Sequence, residues 1–281
     1  STIGTIIPPS VLMVVFGSVA NVSIAKLFLA GAIPGVLVGV VQMIYSYALA
    51  KKYNWPSNER VAWKDKLKAL WRGALPMLVP VIIIVGILGG IFTATEAGAI
   101  ASAYALLVGV IYREITFRNV FQIFNKACRI LALPLFAIAA STLFGWLLAY
   151  LDAPSIATDF VLNITNSPNV GLIFIFLMFF IVGMFIDGVP AIIIFSPVAM
   201  AIGNAMGISP MQIAIVVCMT ASLGLITPPF GLCLLLAAKI GNLEIIPAIR
   251  AIIPFILLFI LVVVLVIFVP PVALWLPGFL S

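Results

Sequence analysis

Histidine is absent from this 281-residue chain, cysteine occurs only three times, and charged side chains make up 8% of the sequence. Each scarcity removes a class of function. Without histidine the usual general base and metal ligand is missing, and Asp187 and Glu96 are the only acids that need not lie in loops. Membrane hydrolysis or redox chemistry is therefore not expected, and the chain is read as a non-enzyme. Cys128, Cys218 and Cys233 are odd in number, scattered inside or beside apolar stretches and free of CxxC spacing, so they indicate neither a disulfide framework nor a metal site. A soluble domain carries about 25% charged residues; this chain does not resemble one.

Apolar residues take the place of the missing charge. They make up 65% of the chain, the mean hydropathy is +1.35, and apolar stretches of about 18 residues or more follow one another, so lipid is the solvent for most of the protein. Barrel strands would alternate apolar and polar positions, whereas Phe255 to Val269 is apolar throughout. The prediction is an all-α, polytopic membrane protein. A formal charge of +6 could suggest nucleic acid, but the basic residues cluster in short loops beside apolar spans and read as topology signals. The expected partner is the lipid bilayer, with no nucleic acid.

Lys51, Lys52, Arg60, Lys64, Lys66, Lys68 and Arg72 face only Glu59 and Asp65, a net +5 that places the amphipathic loop 51–72 in the cytoplasm. Trp55, Trp63 and Trp71 read as interfacial anchors beside it, with Trp275 on the other face. Arg113, Glu114, Arg118, Lys126 and Arg129 make the next charged loop positive as well, so two helices fit between 73 and 112, with a turn near Thr93-Ala94-Thr95 and Thr95 as N-cap. Glu96 supports that helix start through the positive end of its dipole. One more span near 130–150 leads to a loop with Asp152 and Asp159 that reads as periplasmic.

From Gly171 the chain runs apolar to Ile186, breaks at Asp187-Gly188-Val189-Pro190 and runs apolar again to about Ala205. Two full spans and a re-entrant hairpin over 170–206 both return the chain to its starting side. The short arms and the uncharged connector Gly207-Ile208-Ser209-Pro210 favour the hairpin, since non-helical backbone at membrane depth occurs where it lines a cavity.

An internal repeat connects the two ends of the chain. Ile3-Gly4-Thr5-Ile6-Ile7-Pro8-Pro9 aligns with Leu223-Gly224-Leu225-Ile226-Thr227-Pro228-Pro229 at an offset of 220, and Pro34 falls on Pro254 at the same offset. The charged loops give the copies opposite orientations, and paired Gly/Pro-interrupted segments of this kind point to a transporter's binding site. Two consecutive prolines with a nearby glycine end one half-helix and start another. The freed carbonyls can take a cation such as Na⁺, and the open N–H groups of the next half-helix favour an anionic group. This reading assigns Gly4, Thr5, Pro8, Asp187, Ser222, Gly224, Thr227 and Pro228 to Na⁺, with no other cofactor. It assigns Ser1, Thr2, Ser10, Asp187, Gly188 and Thr220 to substrate. An acid at membrane depth is functional by default, which singles out Asp187.

At these residues the sequence resembles the large membrane subunit of the tripartite ATP-independent periplasmic (TRAP) transporters, the DctM-type permease. The resemblance rests on Gly4-Thr5-Ile6-Ile7-Pro8-Pro9-Ser10, Lys26-Leu27-Phe28-Leu29-Ala30-Gly31, Gly89-Gly90-Ile91-Phe92-Thr93-Ala94-Thr95-Glu96-Ala97, Gly183-Met184-Phe185-Ile186-Asp187 and Gly224-Leu225-Ile226-Thr227-Pro228-Pro229. It implies one DctM-like domain over 1–281: a first broken helix and following span (1–50), scaffold-type spans (73–150), the hairpin (170–206), a second broken helix (211–239) and a final span (246–275). It also implies an elevator-type transporter in the bacterial inner membrane, Na⁺ coupling, a small four-helix membrane subunit, and a periplasmic binding protein that delivers an organic carboxylate. The family's first hairpin would precede Ser1, so an N-terminal part is expected to be missing. Gly188 and Pro190 depart from the small Ala/Thr residues of the family's hairpin tip, and Ala94 replaces a common proline. A cation channel would use the same broken-helix oxygens, and another ion-coupled anion carrier of inverted-repeat architecture is the remaining alternative.

Overall fold

The computed structural model describes residues 2–55 and 61–280. Ser1, together with Glu59 and Arg60 of the basic loop, lies outside them. The described residues hold no strand. Five helices are long and apolar enough to cross a membrane, among them Ile24–Lys52 (α2, after the short α1, Val11–Ala20); Trp63–Leu88 (α3) counts as a sixth when its two bent parts are taken together. The chain is an all-α, multi-pass membrane protein, divided into two compact units, 44–135 and 1–43 with 136–281.

In the unit 44–135, α3 packs against Ala94–Ile111 (α4), and the Tyr104 hydroxyl donates to the Leu75 carbonyl at 3.1 Å. The turn between them uses Gly90 at φ +64°, a left-handed conformation that glycine adopts without a side-chain penalty. The N-cap of α4 is Thr93, not Thr95. A capping box needs an acid three residues after the cap, and Glu96 stands in that relation to Thr93. Thr93 Oγ1 accepts from Glu96 N at 3.3 Å, while Glu96 Oε2 accepts from Thr93 N at 2.8 Å. Glu96 thus supports the helix start. The basic loop is also shorter than expected, because α2 runs to Lys52 and α3 starts at Trp63. The next helix, Phe117–Tyr150 (α5), begins 13 residues before the expected 130: Thr116 N donates to Asn119 Oδ1 at 2.8 Å and closes its first turn.

In the other unit, α5 continues from 136 and is followed by Ala153–Ile164 (α6), Pro168–Gly183 (α7), Gly188–Ala205 (α8), Pro210–Gly224 (α9), Leu232–Ile240 (α10), Ile245–Phe268 (α11) and Pro271–Leu274 (α12). The centre is α9, buried at every position from Gln212 to Gly224 and packed against α1, α7, α8, α11 and α12. A helix apolar on all sides must be surrounded by protein or lipid. Its one large polar side chain, Gln212, donates to the carbonyls of Val266 and Ile267, each at 3.1 Å, and ties its start to the end of α11.

The expected loop after Tyr150 is mostly helix. Val161 of α6 is buried, and Phe160 meets Phe174 edge to face at 6.4 Å, so α6 has an apolar face to bury. The final span stops at Phe268 rather than 275, because Pro270 and Pro271 cannot supply the N–H groups that would continue it. Pro34 and Pro254, aligned by the repeat, sit inside α2 and α11 respectively.

α7 and α8 form an antiparallel hairpin. Gly171 lies against Met206 and Ile208 at the open end, Phe179 and Phe195 cross edge to face at 6.5 Å, and Met184–Asp187 makes the tip. At 1.5 Å per residue, 16-residue α7 is about 24 Å long and 15-residue α9 about 22 Å, short of a hydrocarbon core of roughly 30 Å.

Candidate functional site

Three interruptions of helix meet in one place. The first runs from Ile6 to Ser10, between the 3₁₀ turn Thr2–Thr5 and α1; the second from Leu225 to Gly231, between α9 and α10; the third is the hairpin tip. Both Pro-Pro pairs, Pro8-Pro9 and Pro228-Pro229, carry a cis peptide bond, so the repeat extends from sequence to backbone form.

The breaks touch through side chains that the repeat singled out. Thr5 Oγ1 donates to Ser222 Oγ at 2.8 Å, and Ser222 Oγ donates onward to the Cys218 carbonyl at 2.8 Å. This chain links residues 217 positions apart and joins the two broken helices directly. Ser10 donates to the Thr5 carbonyl and accepts from Met13 N at 3.4 Å, so it caps α1 while holding the first break closed. Thr220 and Thr227 donate to the carbonyls one turn earlier, those of Val216 at 2.6 Å and Leu223 at 2.8 Å. The buried hydroxyls of Ser10, Thr220, Ser222 and Thr227 are thereby satisfied as donors, and each oxygen keeps acceptor capacity.

Glycine sets how closely the tip approaches. A Cβ on Gly224 would stand 2.5 Å from the Gly183 carbonyl oxygen, so α7 and α9 cross backbone to backbone. Gly188, first residue of α8, lies between Leu12 of α1 and Ala221 of α9. A cavity of about 150 Å³ opens beside this crossing, lined by Gly183, Asp187, Gly224, Leu225 and the aromatic pair Phe185 and Phe230, whose rings are 6.1 Å apart. Asp187 is exposed there, in extended conformation at the N-cap of α8, and its carboxylate makes no capping bond.

The structure therefore joins Thr5, Ser10 and Ser222 by hydrogen bonds, packs Gly188 against Ala221 beside them, and sets Asp187 in the cavity next to Gly224, while Thr220 and Thr227 bond to carbonyls of their own segment. Pro8 and Pro228 sit half-buried in their breaks. Gly4 is exposed, with open space where a Cβ would stand, and takes no part in the packed crossing. Ser1 lies outside the described residues, and Thr2 contributes backbone to the 3₁₀ turn. Sequence reasoning missed Gly183 and Phe230 as site residues; a small residue at a helix crossing is a visible signal, but its partner is not. No group of three or more His, Cys, Asp or Glu occurs among the described residues. The oxygens on offer are hydroxyls, carbonyls and one carboxylate, a donor set for hard cations. A larger groove of about 470 Å³ between α1, α5 and α8 is walled mainly by Val14, Val15, Ile138 and Ile193 and holds no charged group.

Comparison with known proteins gives the family. Residues 1–272 match the family described as "Tripartite ATP-independent periplasmic transporter, DctM component". The sialic acid TRAP transporter large permease protein SiaM of Vibrio cholerae is 34% identical over 98% of this chain and 65% of its own length. The 2,3-diketo-L-gulonate TRAP transporter large permease protein YiaN of Escherichia coli is 33% identical over 95% and 63%. The C4-dicarboxylate TRAP transporter large permease protein DctM of Pseudomonas aeruginosa is 31% identical over 100% and 66%. The chain thus spans slightly less than two thirds of the length of these curated relatives. With the matched family covering both breaks and the hairpin in full, the chain belongs to the DctM family of TRAP transporter permeases, a transport family and not an enzyme family.

Proposed function

We propose that this chain forms the translocating part of a bacterial inner-membrane permease that takes up an organic carboxylate together with Na⁺, by an elevator-type alternating-access movement. The observation that carries the proposal is the hydrogen-bonded junction of the two Pro-Pro breaks, Thr5 to Ser222, directly beside the hairpin tip. The family supports the transport reading, and relatives named for sialic acid, 2,3-diketo-L-gulonate and C4-dicarboxylates support an organic acid as cargo.

The site's chemistry supports the coupling. α8 starts at Gly188 without a side-chain cap, so its first N–H groups and dipole favour a carboxylate. Asp187 stands at the same point and repels that carboxylate unless a cation lies between them. Na⁺, held by Asp187 and the hydroxyl and carbonyl oxygens of Thr5, Ser222 and Thr227, removes the repulsion; substrate and ion then strengthen each other's binding. The hairpin is re-entrant in this reading. Its tip meets the end of α9 at Gly224, which supports a position near the bilayer midplane. The partners are a periplasmic substrate-binding protein and a small four-helix membrane subunit.

The test is uptake into proteoliposomes by the complete permease with both partners, using a panel of carboxylates with and without a Na⁺ gradient. At least one carboxylate accumulates only with the gradient. Equal accumulation without Na⁺ removes the coupling, and a Na⁺ current that needs no carboxylate identifies a channel instead.

A further inference from the structure

The first turns of α3 present a surface that the transport reading leaves unused. Positions 63, 67, 70 and 71 share one face of a helix, so Trp63, Leu67, Leu70 and Trp71 form an apolar stripe. All four are exposed, Trp63 by 80% and Trp71 by 74%. Lys66 borders one side of the stripe, Lys64 and then Lys68 the other. The Lys66 ammonium rests over the Trp63 ring at 5.4 Å, and none of the three lysines has an ion-pair partner among the described residues. Every side chain from Val61 to Trp71 is exposed, so no described element covers the stripe.

The direction of the chain adds an independent observation. Trp63–Trp71 meets Gly73–Leu88 at an angle of 50°. Spans tilt by about 20° on average, so this bend swings the charged turns toward the membrane plane while the apolar part continues across. Tryptophan favours the headgroup level, and lysine stems can lie along apolar surface with the ammonium in the polar layer.

We propose that Trp63–Trp71 is an interfacial docking surface for anionic phospholipid, with the Trp/Leu stripe at the boundary of the acyl chains and Lys64, Lys66 and Lys68 on the headgroup phosphates. The charge complementarity selects the occupant: three unpaired ammonium groups around an apolar stripe match an anionic interface and not a neutral one. Each lysine near such a surface contributes about fivefold, so the three together enrich anionic over zwitterionic lipid on the order of 100-fold.

The experiment uses the whole chain carrying W55F, W146F and W275F, which leaves Trp63 and Trp71 as reporters, in vesicles of phosphatidylcholine with brominated phosphatidylglycerol or, at equal mole fraction, brominated phosphatidylcholine. Stronger quenching by the brominated anionic lipid is expected, weakening as salt is raised, abolished by K64Q/K66Q/K68Q and kept by K64R/K66R/K68R. Equal quenching by the two lipids, as when a protein partner covers the stripe, overturns the proposal. A preference that survives the glutamine variant or ignores salt overturns it as well. Because the salt series needs no charge variant, the outcome does not depend on how the glutamine variant folds.

Discussion

At the scale of single residues, the site depends on what glycine and small hydroxyls allow. Gly224 and Gly183 let two helices touch backbone to backbone, and any side chain at 224 must push Gly183 away. Gly224→Ala is expected to destabilise the protein by about 1–3 kcal/mol, read as a lower unfolding midpoint in detergent. Gly4→Ala, which meets nothing within 4 Å, is the control and leaves the midpoint in place. The Thr5 and Ser222 hydroxyls form one hydrogen-bonded unit. A cycle of Thr5→Val, Ser222→Ala and the double variant should show coupling of about 0.5–1.5 kcal/mol in stability; additive effects would mean that the bond joining the two breaks contributes nothing.

At the scale of elements, three helix ends show their chemical cause directly. α1 starts at Ser10 because that hydroxyl caps it, α4 starts where Thr93 and Glu96 satisfy each other's backbone, and α11 ends where two prolines arrive. Only the first of these caps belongs to the site. Thr93→Ala is expected to cost about 1 kcal/mol of stability while the Na⁺ dependence of uptake stays unchanged; a change in that dependence would tie the capping box to transport. Expected boundaries drifted where a polar residue suggested a loop, as at Asp152, whose carboxylate accepts from Ser155 at 2.8 Å in the first turn of α6. A hydrophilic residue at a helix start and one in a loop look alike until its hydrogen-bond partner is known.

At the scale of the whole molecule, the proposed coupling makes two predictions. Asp187→Asn and Thr227→Val should each raise the Na⁺ concentration needed for half-maximal uptake, by about tenfold for the loss of one charged or hydroxyl ligand worth roughly 1.4 kcal/mol. Unchanged Na⁺ dependence in both variants would remove these residues from the ion site. Reversing Lys64, Lys66 and Lys68 to glutamate should instead lower the amount of correctly inserted protein, measured by protease protection, more than the transport rate of the inserted fraction. The opposite outcome would count against a cytoplasmic position for residues 51–72.

The sequence by itself determined the solvent, the fold class, the two Pro-Pro breaks and their common register. These are properties of composition and of local backbone chemistry: 65% hydrophobic residues exclude an aqueous fold, and consecutive prolines interrupt a helix wherever they stand. The tertiary structure alone decided which interrupted ends meet. Residues 5 and 222 share a hydrogen bond because α9 is buried between α1, α7 and α8, and Gly183 faces Gly224 because the hairpin folds back at Asp187. Such contacts depend on how helices with apolar faces choose among one another, and a run of leucine, isoleucine and valine that is apolar on every side does not state its neighbour. For that reason the Pro-Pro breaks and their pairing were legible in the chain, and the contacts through which they meet, Thr5 on Ser222 and Gly183 on Gly224, were not.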